Sequence, residues 1–270
     1  MRRHDVPRAT HRGRGRGRKR VRRERTTHLA SGSQFVGRER ELEQLLAGFA
    51  SALGGSGRLF LISGEAGIGK SRLVEEFSRE AESAGARVYR AFAWQGAEDP
   101  AYWVWTQLVR ERLGEPGAAR LRLSRSDRAL LGRLLLGTGG NRRGAKAPAH
   151  PVVESDEARS YLFDAIARFW EQAARRRPTV LVLEDLHAAD PSSLRLLEFL
   201  DANLFRARLL VIGTLRDIGE RTVPAAAEAL EALLRQAEHL PLEGLSEPQV
   251  RELVARSFGV EAATCHAPEL

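Results

Sequence analysis

The sequence has few of the features that hold secreted or membrane proteins together. Cys265 is its only cysteine, so an internal disulfide and a cysteine metal cluster are excluded. No stretch approaches the roughly 20 apolar residues of a membrane-spanning helix. The basic N-terminus is not followed by the apolar segment of a secretory signal. We therefore expect a cytoplasmic protein with no membrane partner.

The net positive charge of the chain comes from one segment. The formal charge of the chain is +8, but residues 1–25 contain twelve Lys/Arg and only Asp5 and Glu24 as acids. Subtracting their net +10 leaves −2 for residues 26–270. The Arg/Gly-rich tail, residues 1–33, cannot bury enough apolar surface to offset its ordering entropy and is predicted to be disordered. It is either a solvated extension or an arm that binds phosphates of nucleic acid or anionic lipid.

The rest of the chain has the composition of a protein with a core, since 43% of all residues are hydrophobic. Short apolar runs alternate with amphipathic helical segments of ten or more residues, a pattern typical of an α/β fold with a parallel sheet covered on both faces. Residues 114–150 fit a variable surface insertion, or a short helix flanked by loops. The five predicted strands are residues 58–63, 86–93, 179–183, 208–214 and 239–242.

A glycine-rich segment between the first strand and the next helix matches G-x-x-x-x-G-K-[ST] at every fixed position. Glycines allow a backbone that turns successive N–H groups toward an anion, and the helix N-terminus adds positive dipole. Lys70 would reach the β and γ phosphates of ATP, and the Ser71 hydroxyl would ligate Mg²⁺. The predicted phosphate-binding residues are Gly64, Glu65, Ala66, Gly67, Ile68, Gly69, Lys70, Ser71 and Arg72.

Two acidic residues follow the most strand-like run of the chain. Glu184 and Asp185 stand at the carboxyl end of that strand, where such sheets bind ligands. A phosphate loop of this kind needs a carboxylate for Mg²⁺ and a base that orients water. By position Glu184 would hold the metal and Asp185 would be the base, although Asp185 is also suited to the metal role. We interpret Asp190, before a proline, as a helix cap.

Two other groups of residues are better explained by structural roles than by catalysis or ligand binding. Tyr102 and Trp105 are three residues apart on a predicted helix, a spacing that favours core packing over a base-stacking platform. The neighbouring Trp94 and Trp103 belong to the same aromatic group. His187 has no partner in the sequence and is interpreted as a loop residue.

Four segments together resemble the AAA-type STAND ATPases of bacterial signalling proteins. The resemblance is strongest to the ATPase module of large ATP-binding LuxR-type regulators, which is also found attached to adenylyl cyclases. It departs from the family pattern at Ala188, where the group usually has Trp. The matching segments are F-V-G-R-E-R-E-L at 35–42, A-Y-W-V-W at 101–105, T-V-L-V-L-E-D-L-H-A-A-D at 179–190 and V-I-G-T-L-R at 211–216.

The resemblance implies roles for residues that spacing alone does not identify. Val36, Gly37 and Arg38 would lie beside the adenine, while Thr214 and Arg216 would approach the γ-phosphate. It implies an AAA-type P-loop domain over residues 34–245, and over residues 246–270 the start of a helical lid that ends early.

The function expected from this resemblance is that of a signalling ATPase controlled by ATP/ADP exchange. Its output domain would lie outside this chain, and a nucleotide-dependent oligomer is compatible with it. Two alternatives stand beside it. One is a nucleotide-binding scaffold without significant turnover, and the other is a replication-initiator-like ATPase that contacts DNA through the tail.

Overall fold

The computed structural model describes residues 35–93, 100–137, 155–203, 207–216 and 224–258. The predicted tail and Trp94 lie outside these ranges. The ordered elements follow the alternation of apolar runs and amphipathic segments in the sequence.

Five parallel strands form one sheet in the order β2-β3-β4-β1-β5. The inner strands β3 and β4 are buried at every position, which explains why their sequences are continuously apolar. The strands are β1 (Arg58–Ser63), β2 (Arg87–Phe92), β3 (Thr179–Glu184), β4 (Leu209–Thr214) and β5 (Glu238–Pro241).

Eight α-helices are found among the described residues, and none of them has the length and apolar character needed to cross a membrane. They are α1 (Glu39–Leu53), α2 (Lys70–Ser83), α3 (Trp103–Gly114), α4 (Arg125–Gly137), α5 (Asp156–Arg176), α6 (Pro191–Asp201), α7 (Pro224–Gln236) and α8 (Glu247–Phe258).

The sheet separates two apolar cores. Helices α1 and α2 pack on one face, around Phe60 and Ile62 of β1. Helices α3 to α7 pack on the other face, where Leu59 and Leu61 of the same strand point. This alternation follows the two-residue period of a strand. The predicted α/β three-layer architecture with a parallel sheet is confirmed.

One region is more regular than its composition suggested. Within residues 114–150, helix α4 buries Leu131 and Leu134 in the core shared with α5. Of the two alternatives for this region, the described part matches the helix flanked by loops. Ser155 caps α5, since its side chain accepts a hydrogen bond from the Ala158 amide.

Parallel pairing brings three segments with predicted site residues to one edge of the sheet. Ser63 ends β1, Glu184 ends β3 and Thr214 ends β4, and the three strands are neighbours in the sheet. The glycine-rich segment and the acidic pair therefore lie together, although more than a hundred residues separate them.

Candidate nucleotide-binding site

The glycine-rich segment forms a tight loop between β1 and α2. Gly64, Gly67 and Gly69 have φ angles of 144°, 81° and 107°, conformations that other residues adopt only with strain. A Cβ at Gly67 or Gly69 would meet no atom within 4 Å, whereas one at Gly64 would lie 2.7 Å from the Leu242 carbonyl oxygen. The loop thus needs glycine mainly for its backbone path, and its crest is open to a ligand.

Lys70 is held at the base of this loop. Its side chain is buried, and Nζ donates hydrogen bonds of 2.7 Å to the carbonyl oxygens of Gly64 and Glu65. Lys70 is also the first residue of α2, where the helix dipole favours an anion over a cation. A buried ammonium ion and a helix N-terminus in one place are well suited to an anionic group such as a phosphate.

The other loop residues differ in exposure. Glu65 and Ala66 are exposed at the crest, and Ile68 is half-buried. The Arg72 guanidinium lies 3.6 Å from Glu75 and 3.7 Å from Glu76 on its own helix. The role predicted for Arg72 in phosphate binding stays a prediction.

The hydroxyl of Ser71 joins the loop to the acidic pair. Ser71 Oγ donates a 3.1 Å hydrogen bond to Glu184 Oε2, and Glu184 is buried, with 7% of its surface exposed. Burial raises the pKa of this carboxyl group, as do the neighbouring Asp185 and Glu75, while Ser71 and Arg90 act in the opposite direction. A divalent cation beside Glu184 would offset the cost of its buried negative charge.

Asp185 has a different environment from Glu184. Its backbone is in the left-handed region, with φ at 60°, a conformation that Asp tolerates better than most residues. Its amide donates a 3.2 Å hydrogen bond to Thr214 Oγ1, and 32% of its side chain is exposed. Thr214 therefore helps to hold the backbone turn at Asp185.

His187 lies beside Asp185 in a short 3-10 turn, Leu186–Ala188. Its Nδ1 is 4.0 Å from Asp185 Oδ1 and accepts a 3.3 Å hydrogen bond from the Arg216 amide. Burial lowers the pKa of His187, and the cations of Arg216 and Lys70 lower it further. The Asp185 carboxylate acts in the opposite direction and raises it. The lowered pKa favours the neutral ring, and an Nδ1 that accepts a hydrogen bond leaves Nε2 to carry its proton. The Ala188 amide bonds to the Asp185 carbonyl at 2.8 Å, so the turn forms without the family's Trp.

The segment expected to contact adenine lies beside the loop. Val36 and Arg38 are buried. Arg38 Nη2 donates hydrogen bonds to the carbonyl oxygen of Ile68, at 3.3 Å, and to that of Glu243. A Cβ at Gly37 would lie 2.8 Å from Leu245 and 2.9 Å from Gln249. The segment thus connects the phosphate loop to the start of α8.

Two residues at this edge were not identified from the sequence. Arg90 on β2 lies 3.4 Å from Glu184 Oε1 and bonds Ser78 Oγ at 2.9 Å. The signal was a charged residue inside a strand, but only the pairing of β2 with β3 gives it a partner. His239 Nε2 lies 2.7 Å from Ser63 Oγ, immediately before the loop.

Asp190, Tyr102 and Trp105 have the structural roles predicted for them, although Tyr102 precedes α3 instead of lying on it. The Asp190 side chain accepts hydrogen bonds from the Ser193 amide, at 2.8 Å, and the Tyr102 amide, at 3.1 Å, so it caps α6. Trp105 is fully buried and donates to the Ser193 carbonyl at 3.0 Å. Tyr102 packs edge-on against Phe163 in the same core.

Comparison with known proteins identifies a family for most of the chain. The family described as AAA ATPase domain matches residues 34–212. An uncharacterised protein of Rhizobium meliloti is 27% identical over 179 residues, which is 62% of this chain and 17% of that protein. The chain therefore spans less than a fifth of the length of this relative.

The chain is also similar to solved structures. Drosophila ORC bound to DNA is 18% identical with a TM-score of 0.45, covering 86% of this chain and 48% of that one. The Aeropyrum pernix ORC1 protein in complex with DNA is 19% identical with a TM-score of 0.40, covering 83% and 50%. The chain thus spans about half the length of each of these proteins.

Proposed function

We propose, because the chain belongs to the AAA ATPase domain family, that it binds ATP with Mg²⁺ and hydrolyses it slowly. The observation that carries this proposal is the hydrogen bond between Ser71 and Glu184. It joins the hydroxyl of the phosphate loop to a buried carboxylate from a different strand. A hydroxyl, a carboxylate and phosphate oxygens are the ligands that Mg²⁺ prefers in nucleotide sites.

The residues present fit Mg²⁺ held together with a nucleotide. Among the described residues, no group of three or more His, Cys, Asp or Glu side chains is placed to hold a metal ion. A site of one carboxylate and one hydroxyl suits an ion that keeps several waters and takes its other ligands from phosphate. When bound, Mg²⁺ supplies charge neutralisation on the β and γ phosphates. Ser71 and Glu184 would hold it.

Other residues of the chain would bind the phosphates, orient the attacking water and position these groups. Lys70 would bind the β and γ phosphates as a point charge, and the loop amides would orient them. Asp185, which is more exposed than Glu184, would orient the attacking water and accept its proton. Arg216 would approach the γ-phosphate from the end of β4, near His187. Thr214 holds the Asp185 amide and would act as a positioning residue.

The same site supports the proposal of a conformational switch. Arg38 bonds both the loop residue Ile68 and the Glu243 carbonyl just before α8, and Gln249 of α8 donates to the Gly37 carbonyl at 3.4 Å. A nucleotide that moved the phosphate loop would thus change the position of α8 relative to the sheet. In this proposal residues 34–245 are the ATPase domain, residues 246–270 begin a lid, and the whole protein is a signalling regulator of the LuxR type.

ATP binding and turnover, each measured with and without Mg²⁺, test the proposal. Ser71→Ala should weaken the Mg²⁺ dependence of both, because it removes one of the two proposed metal ligands. Ser83→Ala, at the exposed end of the same helix, is the matched control. Mg²⁺-dependent binding without turnover would favour a nucleotide-binding scaffold. Binding that is indifferent to Mg²⁺ in the wild type would contradict the proposal.

A further inference from the structure

A polar cavity lies at the opposite edge of the sheet from the candidate nucleotide site. Its walls include Arg87, the first residue of β2, and Thr179, the first residue of β3. Because a parallel strand rises roughly 3.3 Å per residue, the five steps from Thr179 to Glu184 separate this cavity from the acidic pair by roughly 16 Å. The inference drawn from it does not depend on the proposed ATPase function.

The cavity is strongly basic. Four arginines and one glutamate line it, namely Arg87, Arg112, Arg176, Arg177 and Glu115, which gives a formal charge of +3. We call these five residues and the space between them the arginine pocket. Its volume is about 310 Å³, at the lower end of the range of small-molecule sites.

Four of the five charged side chains of the arginine pocket have hydrogen-bond partners, two of them with acceptors outside it. Glu115 Oε1 accepts from Arg87 Nε at 2.6 Å, and Oε2 accepts from the Tyr89 hydroxyl at 2.8 Å. Arg176 Nη2 donates to the Arg120 carbonyl at 2.9 Å, and Arg177 Nε donates to the Gly85 carbonyl at 2.6 Å. Glu115 is therefore occupied by two donors, and the positive charge of the pocket exceeds what it can neutralise.

Arg112 is the exception. It is 7% exposed, yet its Nη1 has no hydrogen-bond acceptor. The nearest carboxylate oxygen is Glu115 Oε2 at 3.7 Å, which is too distant for a hydrogen bond. Buried charged donors in folded proteins are almost always satisfied, and one that is not calls for an unseen partner. Arg112 also lines the cavity, so its guanidinium is the buried cation that an anion in the cavity would meet.

We propose that the arginine pocket binds the phosphate group of a small molecule, with the Arg112 guanidinium as the cation at its buried end. The planar guanidinium matches the geometry of phosphate oxygens and stays charged when buried. Arg177 and Arg176, which are exposed, line the mouth and attract the anion. A phosphate dianion suits the net +3 of the pocket better than a single carboxylate does.

The test has to separate this pocket from the phosphate loop, because both would bind phosphate. We would use the full chain with Lys70→Ala and measure its thermal unfolding midpoint with inorganic phosphate, pyrophosphate, or sodium chloride of equal ionic strength. Phosphate and pyrophosphate should raise the midpoint and sodium chloride should not. Equal effects of all three salts, or no effect, would overturn the proposal.

Single substitutions test whether pyrophosphate binds in the arginine pocket. In the same background, Arg177→Gln and Arg112→Gln should each weaken pyrophosphate binding by about tenfold or more, since each removes a charge-assisted hydrogen bond. Arg175→Gln, one residue outside the pocket and paired with Glu171, should leave it unchanged. If Arg112→Gln does not fold, the pyrophosphate affinity of Arg177→Gln, which changes an exposed residue, tests the proposal by itself. Unchanged affinity in Arg177→Gln would overturn the proposal.

Discussion

The Arg90 guanidinium lies 3.4 Å from Glu184 Oε1, across the pairing of β2 with β3. Ser78 Oγ accepts a 2.9 Å hydrogen bond from the same guanidinium and fixes it against α2. Burial raises the pKa of Glu184, whereas the Arg90 cation lowers it. Arg90 therefore helps to keep the proposed metal ligand ionised, and it does so from outside the phosphate loop and the acidic pair.

Replacement of Arg90 should weaken Mg²⁺ binding without removing any proposed ligand. We expect Arg90→Met to lower the Mg²⁺ affinity of the nucleotide complex by about tenfold or more, as is usual for partners of metal ligands. Arg90→Lys, which keeps the charge, should lie between this variant and wild type. Isothermal titration at fixed ATP measures the effect. Equal affinities in wild type and Arg90→Met would show that Arg90 has only a packing role.

The raised pKa of Glu184 predicts how folding stability and Mg²⁺ affinity depend on pH. A carboxyl group with a raised pKa in the folded state favours folding at low pH, and this contribution is lost as the pH rises through that pKa. Mg²⁺ requires the ionised form, so its affinity should fall as the pH is lowered through the same range. In Arg90→Met the fall should begin at a higher pH. A shift toward lower pH would contradict the sign of this interaction.

The acidic pair should respond unequally to neutralisation. Asp185→Asn should lower kcat by about a hundredfold and leave ATP affinity nearly unchanged, because a proton acceptor acts mainly in the transition state. Glu184→Gln should weaken Mg²⁺ binding first. Steady-state kinetics and titration on both variants separate the two effects. Greater loss of kcat in Glu184→Gln than in Asp185→Asn would reverse the assigned roles.

Asp190 should matter for stability and not for chemistry. Its side chain satisfies two buried amides, those of Ser193 and Tyr102. Asp190→Ala should therefore reduce the free energy of unfolding by about 2–3 kcal/mol. Asp190→Asn, which keeps a carbonyl oxygen at the cap, should cost less. Urea denaturation measures both, and an unchanged midpoint in Asp190→Ala would contradict the cap assignment.

The basic tail should be dispensable for nucleotide binding. Deletion of residues 1–30 removes a net charge of +10 and leaves the chain at −2, but it removes no residue of the proposed site. ATP affinity should stay within about twofold of wild type, a difference of less than 0.5 kcal/mol. A DNA-binding arm would instead appear as DNA affinity that falls steeply with salt and disappears in the deletion. Loss of ATP affinity would show that the tail takes part in the nucleotide site.

The parts of the site that are contiguous in sequence could be predicted from it. The loop motif specifies its backbone through glycine, and the apolar strand before it and the helix after it confirm the context. Helix α4 was less predictable, because Gly- and Arg-rich surroundings hide the spacing of Leu131 and Leu134. Its burial against α5 decides its structure, and that contact is not local.

Contacts between distant segments could not be predicted. Nothing in the periodicity of β2 indicates that it lies next to β3, so Arg90 could not be assigned to Glu184. The same holds for His239 and Ser63, which meet because β5 pairs with β1. The arginine pocket likewise brings together residues of one strand, two helices and the C-terminal caps of those helices. Strand order is set by packing of the whole sheet, and a single sequence does not display it.

ATP titration of the full chain in the presence of Mg²⁺ tests the central claim most directly. Wild type and Arg79→Ala, which alters an exposed residue of α2, should bind ATP at one site per chain. Lys70→Ala should bind no detectable ATP while it remains folded by circular dichroism, because it lacks the ammonium ion at the base of the phosphate loop. ATP affinity in folded Lys70→Ala equal to that of wild type would contradict the assignment of this loop as the nucleotide site.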